Sequence, residues 1–333
     1  MKKNSFRYGF ILLAVMALFI NACAGGNPFQ ENDKVTVQLS WFPSVEYAGF
    51  YTALEKGYYS QENLDVTLVA GGPELDVLGE VNSGNAQFGI GTGDSLIIAK
   101  TRQQNFLAVA TIFRNNPLVV MSLNNGEIQK PEDLTGKTIG VIAPDLSTTW
   151  DIQFLALLQR AEVEIDNISY SAIEDYHGTN EIKSGKVDAL SGMFATNEPV
   201  LAKMEGDNLN LIYYKDYGVD VYPNVLFVTQ KFGNENPDLI ARFVKATLRG
   251  YQFSIENPEE VASLALKYDE SLDLAFQQEV MKAQIPFIDT GDAPIGSMDE
   301  DVWNTTQEIL LDFGLIPEGI DVSTVYTNQF VTP

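Results

Sequence analysis

The hydrophobic pattern around residue 40 changes its period once, from two to about four. Apolar and polar residues alternate from Val35 to Trp41, which is typical of a strand with one buried face. Apolar residues then recur at helical spacing up to Gly57, where glycine favours the end of a helix: Tyr47, Phe50, Tyr51 and Leu54. The pattern predicts a strand that ends at Trp41, followed by a helix whose aromatic residues mostly pack in the core. In open α/β sheets, the carboxyl end of a strand is where ligands bind.

Strand and helix patterns go on alternating as far as residue 229. A first set predicts strands at 65–69, 88–90 and 106–113, with helices at 74–83 and up to residue 102. A second set predicts strands at 117–123, 168–172, 187–193 and 209–213, a helical turn and strand within 130–141, and helices at 148–160, 179–184 and 197–205. Such alternation predicts largely parallel sheets with helices on both faces.

After a last strand at 225–229 the pattern becomes entirely helical. The predicted helices are 237–255, 258–268, 272–284 and 298–313. Two α/β sets followed by helices predict two lobes, with the chain crossing between them near residues 116–120 and 220–225. We place the first lobe at residues 35–118 plus 224–333 and the second at 119–223. This layout encloses a cleft that can close by hinge motion.

Residues 1–22 have the features of a lipoprotein signal peptide. Three basic residues precede the apolar run 10–20, which is too short to span a membrane comfortably. The run leads into Ile20-Asn-Ala-Cys23, which is similar to the lipidation box of bacterial lipoproteins, and Cys23 is the only cysteine. We predict lipidation at Cys23, a tether over residues 23–34, and anchoring to the outer face of the cytoplasmic membrane. The alternatives are an ordinary signal peptide and an uncleaved anchor helix.

The charge balance excludes some classes of partner. The chain has 45 Asp and Glu against 21 Lys and Arg, a net charge of −24. A surface this acidic repels nucleic acid and steers anionic ligands poorly. Residues 289–292 do not follow the calcium-loop pattern, and the sequence shows no other cluster with metal-ligand spacing. We expect a monomer without a metal, a cofactor or a nucleic-acid partner.

Several sequence blocks carry a resemblance that runs in order from about residue 35 to residue 290. They are Trp41-Phe-Pro, Ala48-Gly-Phe-Tyr with Glu55-Lys-Gly-Tyr-Tyr, the pair Gly71-Gly72, and Asp133-Leu-Thr-Gly-Lys-Thr-Ile-Gly-Val. Together they resemble the thiamine-pyrimidine superfamily of ABC-importer solute-binding proteins, which also includes aliphatic-sulfonate binders. The resemblance implies the α/β type II periplasmic-binding-protein fold. In that fold two Rossmann-like lobes are joined by a two-strand hinge, and the C-terminal part is helical.

The resemblance also implies a function. Proteins of this kind capture a small ligand in the cleft between the lobes and deliver it to an ABC permease and its ATPase. Members of the closest branch resemble binders of formylaminopyrimidine, a thiamine precursor, and a sister branch binds riboflavin. Both ligands are flat, nitrogen-rich and largely neutral, which fits an aromatic cleft. The alternative is a taurine-type or other aliphatic sulfonate, which would need a nest of backbone N–H groups such as residues 91–95 could supply.

The superfamily also contains an enzyme, a thiamine pyrimidine synthase that uses a lysine-bound vitamin B6 cofactor and an active-site histidine. In the synthase, a lysine and a histidine four residues on follow the third strand, where this chain has Gly91 and Ser95. Its cysteine-rich run on the return strand corresponds here to residues 220–224, which contain no cysteine. The only histidine, His177, is far from that turn in sequence. We therefore predict a binding protein rather than an enzyme.

The first lobe offers five candidates for ligand contact. Trp41 falls at the position of the family's ring-stacking tryptophan, and Phe42 follows it at the predicted cleft edge. Offset stacking contributes about 0.5–1.5 kcal/mol beyond burial. Tyr47 is the helical aromatic residue nearest to the turn. Thr92 and Ser95 could offer hydroxyls to a ligand or could simply cap the helix that begins beside them.

The second lobe supplies a block that resembles part of the pyrimidine-binding pattern. That pattern has two adjacent aromatic residues and then an acid that hydrogen-bonds the ring amine. Phe194 and Glu198 match it, whereas Ala195 replaces the second aromatic residue and leaves room for a larger ring system such as riboflavin. Asn197 precedes the acid and is a further candidate. Thr149, at the start of the helix 148–160, is the last candidate of this lobe.

Two other positions are ambiguous. Tyr222 lies on the return crossing and is predicted to face Trp41 across the cleft. Glu46 could accept a hydrogen bond from a ligand N–H, but in the first turn of a helix it could equally interact with the helix dipole.

Overall fold

The computed structural model describes residues 32–72, 75–175 and 179–331. Within these ranges the strands form two separate sheets of five strands each. The first sheet contains β1 (Asp33–Gln38), β2 (Leu64–Val69), β3 (Phe88–Gly91), β4 (Phe106–Thr111) and β10 (Val225–Thr229). The second contains β5 (Leu118–Leu123), β6 (Thr138–Val141), β7 (Ser169–Ala172), β8 (Ala189–Phe194) and β9 (Leu209–Tyr213). The predicted signal peptide, Cys23, most of the predicted tether and His177 lie outside the described residues.

Each sheet has one strand that runs against its neighbours. The strand orders are β2-β1-β3-β10-β4 and β7-β6-β8-β5-β9. β10 is antiparallel to β3 and β4, and β5 is antiparallel to β8 and β9, whereas the remaining pairings are parallel. Four of the five strands in each sheet therefore share one direction, in agreement with the prediction of largely parallel sheets, whereas the single antiparallel strand of each sheet was not predicted. β5 and β10 enter their sheets from the two chain crossings, so they run opposite to the strands that successive βα units place side by side.

The helices cover both sheets at positions close to the predicted ones. In the described part of the chain they are α1 (Ala48–Glu55), α2 (Tyr58–Gln61), α3 (Val77–Ser83), α4 (Gly93–Thr101), α5 (Thr149–Arg160), α6 (Asn180–Lys183), α7 (Glu198–Met204), α8 (Gln230–Glu235), α9 (Pro237–Glu256), α10 (Pro258–Ala265), α11 (Leu274–Ile288) and α12 (Glu300–Asp312). The pattern did not predict α8, which follows β10 directly. The lobe boundaries drawn beside β5 and β10 stay a prediction.

The first βα unit packs its aromatic face into the core, as predicted. Tyr47, Phe50 and Tyr51 are fully buried, and Leu54 is partly buried against them. Gly57 ends the unit with a positive φ of 70°, which glycine adopts without strain.

Two glycines let α1 and α9 approach each other closely. A Cβ atom added to Gly250 on α9 would lie 2.0 Å from the backbone oxygen of Gly49 on α1. A Cβ atom added to Gly49 would lie 2.1 Å from the ring of Tyr251. The Tyr251 hydroxyl then donates a 3.1 Å hydrogen bond to the backbone oxygen of Glu46. The contact between these helices therefore fixes the residue that introduces α1.

We predict that Gly250→Ala destabilises the protein although the substitution lies inside a helix. Alanine improves intrinsic helix propensity by about 1 kcal/mol. Here, however, its methyl group would overlap a backbone oxygen, and overpacking of this kind costs about 1–3 kcal/mol. Urea unfolding should show a net loss of stability. Gly319→Ala is the matched control, because its Cβ would meet only the Gln307 side chain at 3.6 Å. Equal stability of the two variants would contradict the packing argument.

Candidate functional site

The turn between β1 and α1 presents two aromatic side chains to solvent. β1 ends at Gln38, so the predicted extension of the strand to Trp41 is wrong, and Trp41 belongs to the turn. Trp41 and Phe42 are 50% and 53% exposed, with ring centroids 5.5 Å apart in an edge-to-face arrangement. Exposure of two large rings side by side is unusual in a stable turn and is typical of a binding surface.

Buried polar groups hold this turn in place. The backbone N–H of Trp41 donates to the Tyr47 hydroxyl at 3.0 Å, and its backbone oxygen accepts from the N–H of Gly71 at 2.9 Å. The Tyr47 hydroxyl also shares a 2.9 Å hydrogen bond with Ser40. Tyr47, predicted as a possible ligand contact, is completely buried beneath the turn. The structure gives it the role of positioning Trp41.

A cavity of about 210 Å³ opens beside the turn. Three parts of the chain enclose it: the turn itself, the loop before α7 and one face of α11. The lining residues are Trp41, Phe42, Pro43, Ser44, Glu46, Thr196, Asn197, Leu272, Phe276, Gln277, Val280 and Gln284. Elements attached to both sheets therefore contribute to one cavity.

The residues of α11 that line the cavity were not predicted from the sequence. The Oε1 atom of Gln277 accepts from the backbone N–H of Val45 at 2.8 Å, and the Nε2 atom of Gln284 donates to the backbone oxygen of Val45 at 3.0 Å. Both glutamines are buried, and they satisfy the backbone of the turn from one helix face. The only local signal was two glutamines seven residues apart on a mostly apolar helix face, which does not indicate a partner so distant in sequence.

One carboxyl group lines this cavity, and a second is buried next to one of the lining residues. Glu46 lines it from the first-sheet side, and burial raises the pKa of its carboxyl group to about 7. Burial also raises the pKa of Glu198, on the second-sheet side next to the lining residue Asn197. The charge of Glu198 contributes to the raised pKa of Glu46, so the two groups interact electrostatically. Carboxyl groups with raised pKa values in a cleft are typical of functional sites.

Phe194 and Asn197, both predicted site residues, lie around Glu198. The backbone N–H of Phe194 donates to Glu198 Oε2 at 2.9 Å, and the side-chain amide of Asn197 donates to Oε1 at 3.0 Å. The partly buried ring of Phe194 packs against Trp150 with centroids 5.1 Å apart. Asn197 is exposed and lines the cavity. Trp150 thus lies next to the aromatic position that precedes Ala195.

Thr92 and Ser95 form a capping box at the start of α4. The side chain of each accepts from the backbone N–H of the other, at 3.4 Å for Thr92 and 3.3 Å for Ser95. Of the two alternatives left open by the sequence, the structure shows the cap. The same helix start carries the buried Asp94, which hydrogen-bonds Thr149 and Gln153 on α5. Thr149 therefore takes part in a contact between the two sheet regions.

Tyr222 does not face Trp41. It is buried in the core, where its ring lies 5.7 Å from that of Trp303. Its hydroxyl accepts from the backbone N–H of Asp299 at 2.6 Å. The side chain of Tyr222, just before β10, therefore packs against α12.

In residues 32–72, 75–175 and 179–331, the helices are too short or too polar to cross a membrane. In the same part of the chain there is no cluster of three or more His, Cys, Asp or Glu that could hold a metal ion.

The chain is similar to known proteins over most of its length. The riboflavin-binding protein RibY of Chloroflexus aurantiacus is 28% identical over 316 residues, covering 90% of this chain and 86% of the relative. The formylaminopyrimidine-binding protein of Halalkalibacterium halodurans is 26% identical, covering 90% and 91%. A 4-amino-5-hydroxymethyl-2-methylpyrimidine phosphate synthase of Legionella pneumophila is 23% identical, covering 90% and 92%.

A solved structure shows the fold. The periplasmic aliphatic sulphonate binding protein SsuA of Escherichia coli superposes with a TM-score of 0.71, covering 90% of this chain and 99% of its own, at 13% sequence identity. The two sheets are therefore the two lobes of a periplasmic-binding-protein fold, as predicted. The family model described as NMT1/THI5 like matches residues 44–261, more than half of the chain. This chain therefore belongs to the NMT1/THI5-like family.

Proposed function

We propose that this protein is an extracytoplasmic solute-binding lipoprotein of an ABC importer. It captures a flat nitrogen heterocycle, a thiamine-pyrimidine precursor or riboflavin, in the cavity between its lobes. The observation that carries the proposal is the pairing of an exposed aromatic turn with the carboxyl group of Glu46 in one cavity to which elements of both sheets contribute. Aromatic rings stack on a flat ligand, while carboxyl groups accept from its ring N–H and amino groups.

The chemistry of the lining favours such a ligand over a sulfonate. Among the described residues, those that line the cavity include no lysine or arginine. Glu46 lines the cavity instead, and its carboxylate form repels an anion. The nest of backbone N–H groups that a sulfonate would need is not free at residues 91–95, because Thr92 and Ser95 cap α4 there.

The size of the cavity bears on the choice between the two heterocycles. Its volume of about 210 Å³ lies below the range of roughly 300–1,000 Å³ that is usual for ligand pockets. A single-ring pyrimidine fits this conformation better, whereas the three fused rings of riboflavin require the lobes to move further apart. Both ligands remain within the proposal, because hinge motion is the way such lobes admit a ligand.

The ligand class is tested by thermal shift of the purified protein. Riboflavin, formylaminopyrimidine and thiamine are compared with taurine as the sulfonate. We expect the melting temperature to rise with a heterocycle, since a ligand at 100 times its Kd stabilises the fold by about 2.7 kcal/mol. Stabilisation by taurine alone would overturn the proposal. Appearance of a lysine–pyridoxal phosphate absorbance when that cofactor is added would point instead to a synthase.

We predict that Trp41→Ala weakens binding of the stabilising heterocycle about tenfold or more. Removal of the ring loses both its buried area and a stacking contribution of about 0.5–1.5 kcal/mol. Trp41→Phe should retain most of the affinity, because it keeps an aromatic face. Isothermal titration calorimetry gives the affinities, and urea unfolding serves as the control, since a half-exposed side chain contributes little to the fold. Equal affinities of the alanine variant and the unchanged protein would remove Trp41 from the site.

The lipid anchor is tested separately. Cys23→Ser should release the protein from the membrane fraction of expressing cells, because Cys23 is the only thiol that can be lipidated. Fractionation followed by mass measurement checks this outcome. Membrane association of the serine variant would support an uncleaved anchor helix instead.

A further inference from the structure

One face of α11 forms a wall of the cavity, with an apolar centre and an amide at each end. Gln277, Val280 and Gln284 follow one another at helical spacing, and all three line the cavity. The two glutamines are almost completely buried, with 3% and 1% of their surfaces exposed. A buried amide is costly unless its hydrogen bonds are made, so we ask which partner each end of these amides has.

Half of each amide is used by the backbone of Val45. The N–H of Val45 can only donate, so the Gln277 atom that meets it at 2.8 Å must be the carbonyl oxygen Oε1. The backbone oxygen of Val45 can only accept, so the Gln284 atom that meets it at 3.0 Å must be the nitrogen Nε2. That nitrogen also contacts the sulfur of Met281 at 2.9 Å. The backbone of Val45 therefore fixes the orientation of both amides.

The other half of each amide faces the cavity. Among the described residues, no group hydrogen-bonds the Nε2 atom of Gln277 or the Oε1 atom of Gln284. Neither atom is one of the polar atoms that are enclosed without a partner in this part of the chain. Because both residues line the cavity, the Gln277 nitrogen and the Gln284 oxygen open onto it. Holding the Val45 backbone requires only the first half of each amide and does not account for the second.

We propose that Gln277 and Gln284 are ligand-binding residues. The Nε2 atom of Gln277 donates to a ring nitrogen or carbonyl oxygen on one edge of the ligand, and the Oε1 atom of Gln284 accepts from an N–H group on another edge. Val280 packs against the ring between them. This role rests on the proposed function and adds the pattern of polar groups that the heterocycle must carry. Since Val45 and Trp41 belong to the same turn, the stacking ring and the two amides are held in one arrangement.

The arrangement narrows the class of ligand. At a rise of 1.5 Å per residue, the backbones of the two glutamines lie about 10.5 Å apart along α11, so their amides approach a ring from different ends. A flat ring with an acceptor and an N–H donor on separate edges can meet both amides. A ring with acceptors alone leaves the Gln284 oxygen unpaired, which lowers its affinity. Because amides are uncharged, this selection depends on the hydrogen-bond pattern of the ring rather than on its charge.

Gln277→Glu separates ligand binding from positioning of the turn. A carboxylate keeps an oxygen that accepts from Val45 but replaces the free donor with a second acceptor. At pH 8, where the introduced carboxyl group is ionised, we expect the melting temperature of the ligand-free protein to change little. The affinity for the stabilising heterocycle should fall about tenfold or more, because an acceptor of the ligand then meets another acceptor. Calorimetry measures the affinity, and an unchanged value would overturn the proposal.

Two further variants show whether the amides are oriented as described. Gln278→Glu is the matched control, because Gln278 is the next residue of the helix and does not belong to the described lining of the cavity. It should change neither quantity. Gln284→Glu places a carboxylate oxygen against the backbone oxygen of Val45, so it should lower the melting temperature while keeping an acceptor in the cavity. A melting temperature that falls for Gln277→Glu but not for Gln284→Glu would contradict the orientation of the two amides.

A ligand series tests the Gln284 contact without relying on the stability of a variant. Riboflavin is compared with its N3-methyl derivative, and 4-amino-5-hydroxymethyl-2-methylpyrimidine with its 4-dimethylamino derivative, because each derivative lacks the N–H of the ring system. In the unchanged protein, the methylated ligand should bind about tenfold more weakly. Gln284→Met should remove most of this difference, since the lost donor and the lost acceptor are partners. Both ligands are compared in one protein, so a loss of stability cancels. The same difference in Gln284→Met would overturn the contact.

The outcomes separate the two proposals. If neither ring system raises the melting temperature of the unchanged protein, the proposed function is wrong. If a heterocycle binds but its affinity does not respond to Gln277→Glu, and the effect of N-methylation is the same with and without Gln284, this inference is wrong while the proposed function stands.

Discussion

A hydrogen bond between the two chain crossings underlies the arrangement of the site. The backbone N–H of Asn116, on the first crossing, donates to the Asp220 carboxylate on the second at 2.8 Å. The Asn116 side chain also donates to the Val219 backbone oxygen at 3.2 Å and to Gln153 on α5 at 3.0 Å. The two crossings are therefore held together by hydrogen bonds where the chain passes between the sheets, and helix α5 is bonded to the same place.

Buried acidic residues with raised pKa values are concentrated in the same part of the molecule. Among the described residues, the carboxyl groups with raised pKa values are Glu46, Asp94, Glu198 and Asp220. All four lie at the cavity or where the lobes touch, and burial is the main cause in each case. Burial of an acid lowers the stability of its charged form, so a sequence selected only for stability would not collect four of them around one cleft. Their concentration indicates a functional region more strongly than any single residue does.

Local patterns in the sequence predicted most strands and helices well. Burial of one face of a strand or helix makes its apolar residues recur with the period of that element. The patterns placed Trp41 and Phe42 at a binding edge, and those rings are exposed there. They could not give strand direction, because an alternating pattern is the same for parallel and antiparallel neighbours. The antiparallel direction of β5 and β10 was therefore not predicted, although the crossings that lead into these strands were. The same limit applies to Tyr222: its position on the return crossing was predicted, but the direction in which its ring points depends on packing against Trp303.

The position of Glu46 also required the fold. Sequence alone left this residue between a ligand acceptor and a partner of the helix dipole. Its environment comes from Asn224, which is 178 residues away, and from burial against elements that are distant in sequence. Burial is the largest cause of the raised pKa of Glu46, and the hydrogen bond from Asn224 opposes it, because a donor stabilises the charged carboxylate. Neither effect can be read from the residues around position 46, since both depend on which parts of the chain the fold brings against that turn.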